Sequence, residues 1–144
     1  MSEHITSANA SVFLSVEDLY PSGFQLQNFS ADLALSTDDV TMAEARMGVD
    51  GHLAVGYTPT AINVTISLEA NSPSRAKLEN IASASRLNMK LYECDLLVSV
   101  PGINKTYNFK KGYLITGHLM PDIKKTLDPT QWKFIFEAWE SSGE

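Results

Sequence analysis

Cysteine is nearly absent from this sequence, in which Cys94 is the only one among 144 residues. A single cysteine excludes an internal disulfide and a cysteine-based zinc cluster. Cys94 lies within an alternating apolar pattern. We therefore expect a buried thiol that acts as a small hydrophobic group of the core.

Long apolar runs are missing as well. No stretch approaches the roughly 20 consecutive apolar residues that a membrane-spanning helix needs. The first residues, Met1-Ser2-Glu3-His4-Ile5, lack the basic segment followed by an apolar one that marks a secretory signal. We therefore expect a protein that is made in the cytoplasm and has no membrane partner.

Basic residues are few relative to acidic ones. The chain has 11 Lys and Arg against 17 Asp and Glu, which gives a net charge of −6 and a pI near 5.0. This sign opposes the counterion-releasing attraction on which nucleic-acid binding depends. It is compatible with a surface along which nucleic acid slides without sticking, and equally with an acidic domain kept soluble by its charge.

The motifs that carry most enzyme chemistry are also missing. The sequence has no Gly-x-Ser-x-Gly elbow, no phosphate-binding loop ending in Gly-Lys-Ser/Thr and no dinucleotide fingerprint. Its histidines, His4, His52 and His118, lack the i, i+4 spacing that places two metal ligands on one helical face. Glu93 and Asp95 stand two apart, as on a solvated strand face. We expect no enzyme activity, no metal and no cofactor.

Alternation with a period of two residues is the main pattern present. Apolar residues make up 44% of the chain and charged residues 19%, a balance that at this length fits one domain over residues 1–144. Alternating segments occur near residues 11–16, 24–35, 61–69, 89–100, 106–116 and 131–140. The segment 106–116 is one strand or two, interrupted at Lys110-Lys111-Gly112, which predicts a bulge or a solvated bend.

One segment has helical character. Ser72 can cap a helix, and Pro73 suits the first helical position because proline has no amide hydrogen to leave unpaired. Apolar or small residues then form one stripe over about residues 73–87: Ala76, Leu78, Ile81, Ala82, Ser85 and Leu87. The sequence thus predicts a mainly β fold, an antiparallel sandwich or barrel of roughly seven or eight strands with one flanking α-helix.

The strongest turn signal in the chain is Gly48-Val49-Asp50-Gly51. Asp-Gly between two alternating segments predicts a β-hairpin. The arms are only moderately apolar, and Asp38, Asp39 and Glu44 lie on the leading side. We therefore interpret the hairpin as a projecting or interfacial element.

Three of these features follow one another in order along the chain. They are the Asp-Gly hairpin, the strand Ile62-Asn63-Val64-Thr65-Ile66-Ser67-Leu68, and the capped helix start Asn71-Ser72-Pro73-Ser74-Arg75-Ala76-Lys77-Leu78. Over roughly residues 30–87 this order resembles the tail tube proteins of contractile-tailed bacteriophages, and type VI secretion tube proteins share their architecture. The resemblance implies a structural virion protein that self-assembles into stacked hexameric rings, the inner tail tube through which phage DNA passes during ejection.

The resemblance also implies partners and a location. The partners are further copies of the chain, the tail sheath protein, the tape measure protein, and the baseplate and tail-terminator proteins, while DNA passes through without specific binding. The location is the virion tail, after synthesis in the host cytoplasm. The resemblance further implies an acidic inner wall, which would account for the net charge of −6.

Two sets of site residues follow. We predict subunit or ring contacts in the N-terminal segment and at the hairpin tip, which consists of Gly48, Val49, Asp50, Gly51 and His52. For the channel wall the prediction is a set of acidic residues from the strands: Asp32, Asp38, Asp39, Glu44 and Glu69.

Two alternatives stay open. One is a monomeric β-sandwich module that binds a peptide or carbohydrate through residues 132–139 or 107–113. The other is a tube-like subunit of the baseplate or tail terminator, which has the same fold and stops at a single ring.

Overall fold

Nine strands and one α-helix make up the part of the chain described by the computed structural model, residues 10–26 and 35–143. In chain order they are β1 (Ser11–Val16), β2 (Tyr20–Gln25), β3 (Leu35–Thr37), β4 (Ala43–Met47), β5 (Leu53–Tyr57), β6 (Ile62–Leu68), α1 (Pro73–Asn88), β7 (Cys94–Val100), β8 (Lys105–Gly117) and β9 (Thr130–Gly143). A short 3-10 turn, Pro101–Ile103, joins β7 to β8.

Seven of these strands form one antiparallel sheet in the order β2-β1-β7-β8-β9-β6-β3. Its centre is the pair β8 and β9, strands of 13 and 14 residues. β8 bonds to β7 on its other side, and β9 bonds to β6. The remaining strands, β4 and β5, pair only with each other as a separate two-stranded sheet.

The core is built from one parity of each long strand. On β9, Trp132, Phe134 and Phe136 are at most 1% exposed. Each stands opposite a buried aliphatic residue of β6: Ile66, Val64 and Ile62. Burial of each such side chain contributes about 1.5–3 kcal/mol, so the contact between β6 and β9 anchors the sheet. The alternation predicted for residues 61–69 and 131–140 is confirmed.

β8 bends at Lys111, whose φ of 54° is uncommon for a residue other than glycine. On the neighbouring β7, the register shifts between Cys94 and Leu96. The Lys111 amide donates a hydrogen bond to Asp95 Oδ1 at 3.1 Å, which gives a partner to a group that the bulge takes out of the ladder. The predicted bulge is confirmed, and β8 continues through it as one strand.

The helix begins where the sequence predicts. The Ser72 hydroxyl accepts a hydrogen bond from the Ser74 amide at 3.2 Å, and Pro73 stands in the first turn. α1 ends at Asn88, one residue past the predicted end, and Met89 closes it in the left-handed conformation with φ 48°. The mainly β fold with one flanking helix is therefore confirmed.

The buried face of α1 is narrower than the predicted stripe. Leu78 and Ile81 are buried, whereas Ala76 and Leu87 are exposed. At about 100° per residue, Ala76 is about 200° from Leu78, and Leu87 about 240° from Ile81. Those two positions therefore point away from the sheet, and their assignment to the stripe is wrong. Within the described ranges, no helix has the length and apolar character needed to cross a membrane.

Candidate assembly surface

The predicted hairpin is confirmed as β4 and β5. Its turn is closed by two backbone hydrogen bonds: the Gly51 amide donates to the Gly48 carbonyl at 3.0 Å, and the Gly48 amide donates to the His52 carbonyl at 2.8 Å. The His52 amide also donates to Asp50 Oδ1 at 3.1 Å. Gly51 has φ 85°, a conformation that glycine adopts without strain. The Asp-Gly pair is thus needed for this turn.

The base of the hairpin is fastened beyond the two strands. The Thr58 amide donates to the Met42 carbonyl at 3.1 Å, and the Thr60 hydroxyl donates to the Thr41 carbonyl at 2.9 Å. These bonds extend the ribbon towards β3 and β6. The hairpin is therefore a defined arm that leaves the main sheet and returns to it.

The two faces of the hairpin differ in polarity. Residues opposite each other across the ladder share a face, and one face is entirely apolar: Ala43 with Tyr57, Ala45 with Val55, and Met47 with Leu53. We call this the apolar hairpin face. The other, the polar hairpin face, pairs Glu44 with Gly56 and Arg46 with Ala54.

Both faces are exposed in the single chain. On the apolar hairpin face, Tyr57 is 82% exposed, and Met47, Val55 and Leu53 are between 60% and 63% exposed. A two-stranded ribbon is at best marginally stable in water without a layer packed against it. A cluster of large apolar side chains on such a ribbon is typical of a surface that another chain covers.

The predicted tip residues lie together at the far end of this arm. Val49 is fully exposed, and Asp50, Gly51 and His52 are exposed beside it. The apolar hairpin face itself was missed from the sequence as a contact surface. The signal is present in the alternation of Ala43-Glu44-Ala45-Arg46-Met47 and of Leu53-Ala54-Val55-Gly56-Tyr57, but moderate hydrophobicity makes it weak.

The predicted channel residues fall in different places. Asp38 and Asp39 are exposed in the segment that leads from β3 into the hairpin, and Glu44 is exposed on the polar hairpin face. Glu69 is half-buried just after β6, at the opposite end of that strand from the hairpin. Seven residues of strand separate the two ends by about 20 Å at 3.3 Å per residue. Asp32 and the N-terminal segment before Ala10 lie outside the described residues.

A concave surface lies near the base of the hairpin. An open cavity of about 460 Å³ is lined mainly by apolar and aromatic side chains of β3, β6, β7, β8 and β9. Trp139, which is 49% exposed, borders it together with Tyr107 and Phe109. The structure thus brings together the two segments, 107–113 and 132–139, that a small binding module would use.

Ionisable side chains do not form a reactive cluster in the described ranges, where no three His, Cys, Asp or Glu residues are placed to hold a metal ion. The His118 Nε2 atom lies 3.1 Å from Asp122 Oδ1 in an exposed loop. Burial, followed by the nearby carboxylates Asp95 and Glu93, raises the pKa of Cys94 to about 12. The thiol is therefore protonated at neutral pH and is a poor nucleophile.

Solved structures share this fold over nearly the whole chain. The sheath/tube terminator of the extracellular contractile injection system PVC aligns with a TM-score of 0.67 and 12% identity, covering 99% of this chain and 100% of that one. The cap that terminates the tube of the anti-feeding prophage aligns with a TM-score of 0.64 and 15% identity, covering 100% and 94%. A chain of the PVC sheath-tube complex aligns with a TM-score of 0.59 and 14% identity, covering 92% and 88%.

These alignments confirm at the level of the fold the resemblance to tail tube proteins that the sequence indicated. No curated protein matches the chain significantly by sequence. A family model described as tail fiber protein gp32 matches residues 3–140, nearly the full length. The chain therefore belongs to the tail fiber protein gp32 family.

Proposed function

We propose that this chain is a structural, non-catalytic subunit of a phage-type contractile tail, and that it assembles with copies of itself into rings through the β4–β5 hairpin. The observation that carries the proposal is the apolar hairpin face, which projects from a tube-type fold and whose large side chains are at least 60% exposed. The shared fold and the family membership support the assignment to a phage-type contractile tail.

Assembly through this face is energetically reasonable. Burial of Tyr57, Met47, Leu53 and Val55 would each contribute about 1.5–3 kcal/mol. Their sum is comparable with the 4–15 kcal/mol that association costs in lost translational and rotational freedom. The core between β6 and β9 is already filled, so a neighbour would gain apolar contact at exposed surfaces such as this face.

The finer parts of the proposal concern the assembly. We infer hexameric rings that stack into a tube, with the sheath, baseplate, terminator and tape measure proteins as neighbours and phage DNA passing through the channel. The protein would be made in the host cytoplasm and become part of the virion tail. Asp38, Asp39 and Glu44, all exposed on or next to the hairpin, are the acidic residues we expect along the channel.

A tail-terminator ring is the second candidate. It is favoured by the length of the match, since the cap and the terminator align over 94% and 100% of their own chains. A terminator closes the tube as a single ring, whereas a tube protein polymerises. Negative-stain electron microscopy of the purified protein separates isolated rings from tubes of many rings.

The hairpin is tested by placing the same charge on its two faces. We expect Val55→Asp to abolish rings, because the carboxylate lies on the apolar hairpin face and would be buried unpaired. Ala54→Asp, one residue away on the polar hairpin face, is the matched control and should assemble like the unaltered chain. The measurements are negative-stain microscopy and sedimentation velocity over a range of concentrations.

Two results would count against the proposal. Equal ring formation by Val55→Asp and Ala54→Asp would remove the apolar hairpin face from the contact. An unaltered chain that sediments as a monomer at every concentration would exclude self-assembly. Such a monomer would favour the small binding module, with its site at the cavity beside Trp139.

A further inference from the structure

A second apolar surface is exposed where α1 ends. Leu87 is 81% exposed, Met89 93% and Leu91 57%, and we call these three residues the helix-end patch. The backbone here is held in place, because the Lys90 amide donates to the Ser85 carbonyl at 3.1 Å. The Asn88 side-chain amide likewise donates to the Tyr92 hydroxyl at 2.8 Å. Three large apolar side chains are thus presented to solvent on a fixed turn.

The helix that ends at the helix-end patch is basic. Residues 73–90 carry Arg75, Lys77, Arg86 and Lys90 against one acid, Glu79, a local charge of +3 in a chain whose net charge is −6. Arg86 lies in the last helical turn. Lys90 lies between Met89 and Leu91, and its ammonium group is 3.2 Å from Asp18 Oδ2. A partner for this patch would therefore combine apolar side chains with negative charge.

The hairpin has that combination. Residues 38–57 carry four acids and a single Arg or Lys residue, Arg46, which gives a local charge of −3; the acids are Asp38, Asp39, Glu44 and Asp50. The hairpin with its lead-in segment and the helix α1 thus carry opposite local charges, each beside an exposed apolar surface. Opposite potentials favour their contact between copies and steer the encounter.

Pairing of two hairpins with each other is disfavoured by the same charges. It would bring two segments of charge −3 together, and such a twofold contact would close a dimer. A ring needs a heterologous contact, in which one surface of each copy binds a different surface of the next. The hairpin and the helix-end patch satisfy that requirement.

Another exposed apolar group, in the loop between β8 and β9, lacks this complementarity. It consists of Leu119, Met120, Ile123 and Leu127. The charges around it cancel, because Asp122 and Asp128 accompany Lys124 and Lys125. The helix, with its local charge of +3, therefore suits an acidic partner better than this uncharged loop does.

We propose that the helix-end patch of one copy is the docking site for the apolar hairpin face of the next copy. The inference rests on the proposed function and specifies the two surfaces that meet in the ring. Each contact uses the hairpin of one copy and the helix-end patch of another. Two variants that lack different surfaces should therefore still bind each other.

The test combines two variants that each lose one surface. Val55→Asp disables the hairpin, and Met89→Asp disables the helix-end patch; both positions are exposed, so both variants should keep the native circular dichroism spectrum. Each variant alone should remain a monomer. Mixed in equal amounts, the two variants should form a 1:1 dimer and nothing larger. The Met89→Asp chain keeps an intact hairpin and the Val55→Asp chain keeps an intact helix-end patch, so one contact can form between them and no further one.

Ile123→Asp, in the competing loop, is the matched control and should form rings like the unaltered chain. Rings formed by Met89→Asp, or a mixture that stays monomeric while each variant is folded, would overturn the inference and leave the proposed function standing. Loss of rings in Ile123→Asp but not in Met89→Asp would move the docking site to the loop. An unaltered chain that never associates would overturn both this inference and the proposed function. That outcome is measured on the unaltered chain alone.

Discussion

At the scale of single residues, Cys94 makes the stability of the fold depend on pH. Its side chain is 1% exposed, and burial, with Asp95 and Glu93 next in effect, raises the thiol pKa from 9.0 to about 12. The folded state therefore keeps a proton that the unfolded chain releases near pH 9. The resulting stability is fully present below pH 9 and is lost as the pH rises towards 12.

We expect the free energy of unfolding to fall between pH 9 and pH 10 by about 1 kcal/mol because of this thiol. In that window the ion-paired lysines Lys90, Lys110 and Lys124 stay charged, since their carboxylate partners raise their pKa above 10.5. Urea titrations at pH 7, 9 and 10 measure the slope. Cys94→Ala should reduce the slope, whatever its effect at neutral pH; equal slopes in both proteins would contradict the assignment.

Gly112 is a second residue on which the core depends. A Cβ added at this position would collide with the buried ring of Phe136, which stands opposite it on β9. We expect Gly112→Ala to lower the free energy of unfolding by about 1–3 kcal/mol, the usual cost of overpacking a filled core. Denaturant unfolding followed by tryptophan fluorescence measures the loss.

Gly56→Ala is the control for that change, because nothing lies within 4 Å of a Cβ added at Gly56. It is also a glycine within a strand, so any general effect of alanine on strand backbone should be shared. A loss of stability as large in Gly56→Ala as in Gly112→Ala would mean that contact with Phe136 is not the cause.

At the scale of elements, local chemistry made the helix start and the hairpin predictable. Ser72 and Pro73 define a helix N-terminus, and Asp50-Gly51 a tight turn, through contacts a few residues apart. Sheet order is different, because the pairing of β1 with β7 or of β6 with β9 joins segments more than 60 residues apart. Many registers bury the same alternating residues, so sequence pattern alone does not select one.

The candidate site likewise has a part set by local contacts and a part set by the pairing of strands. The tip was predictable from its turn, whereas the apolar hairpin face required the ladder register that sets Val55 opposite Ala45. The helix-end patch was missed because Leu87 fits a plausible stripe in the sequence; its exposure depends on how α1 is rotated against the sheet. In the sequence, an exposed apolar face has the same pattern as a weakly hydrophobic core segment. Only the fold shows which of the two is covered.

At the scale of the whole molecule, the net charge of −6 is unevenly distributed. Residues 38–57 carry a local charge of −3, and residues 73–90 a charge of +3. The proposed contact between copies would bring these two oppositely charged segments together. When the apolar hairpin face is covered, the polar hairpin face with Glu44 and Arg46 still faces water. In the proposed assembly, Glu44 would therefore line the channel without taking part in the buried contact.

We expect Glu44→Lys to leave ring formation intact and to make the assembled rings hold DNA, because a positive charge in the channel replaces repulsion by counterion-releasing attraction. Glu17→Lys is the matched control: Glu17 is also exposed but lies in the turn between β1 and β2, away from the hairpin. Fluorescence anisotropy of a short labelled duplex, titrated with assembled rings at low and moderate salt, measures retention. Equal retention by both variants would place Glu44 outside the channel, whereas retention by Glu44→Lys alone, weakening steeply with salt, identifies the polar hairpin face as part of its wall.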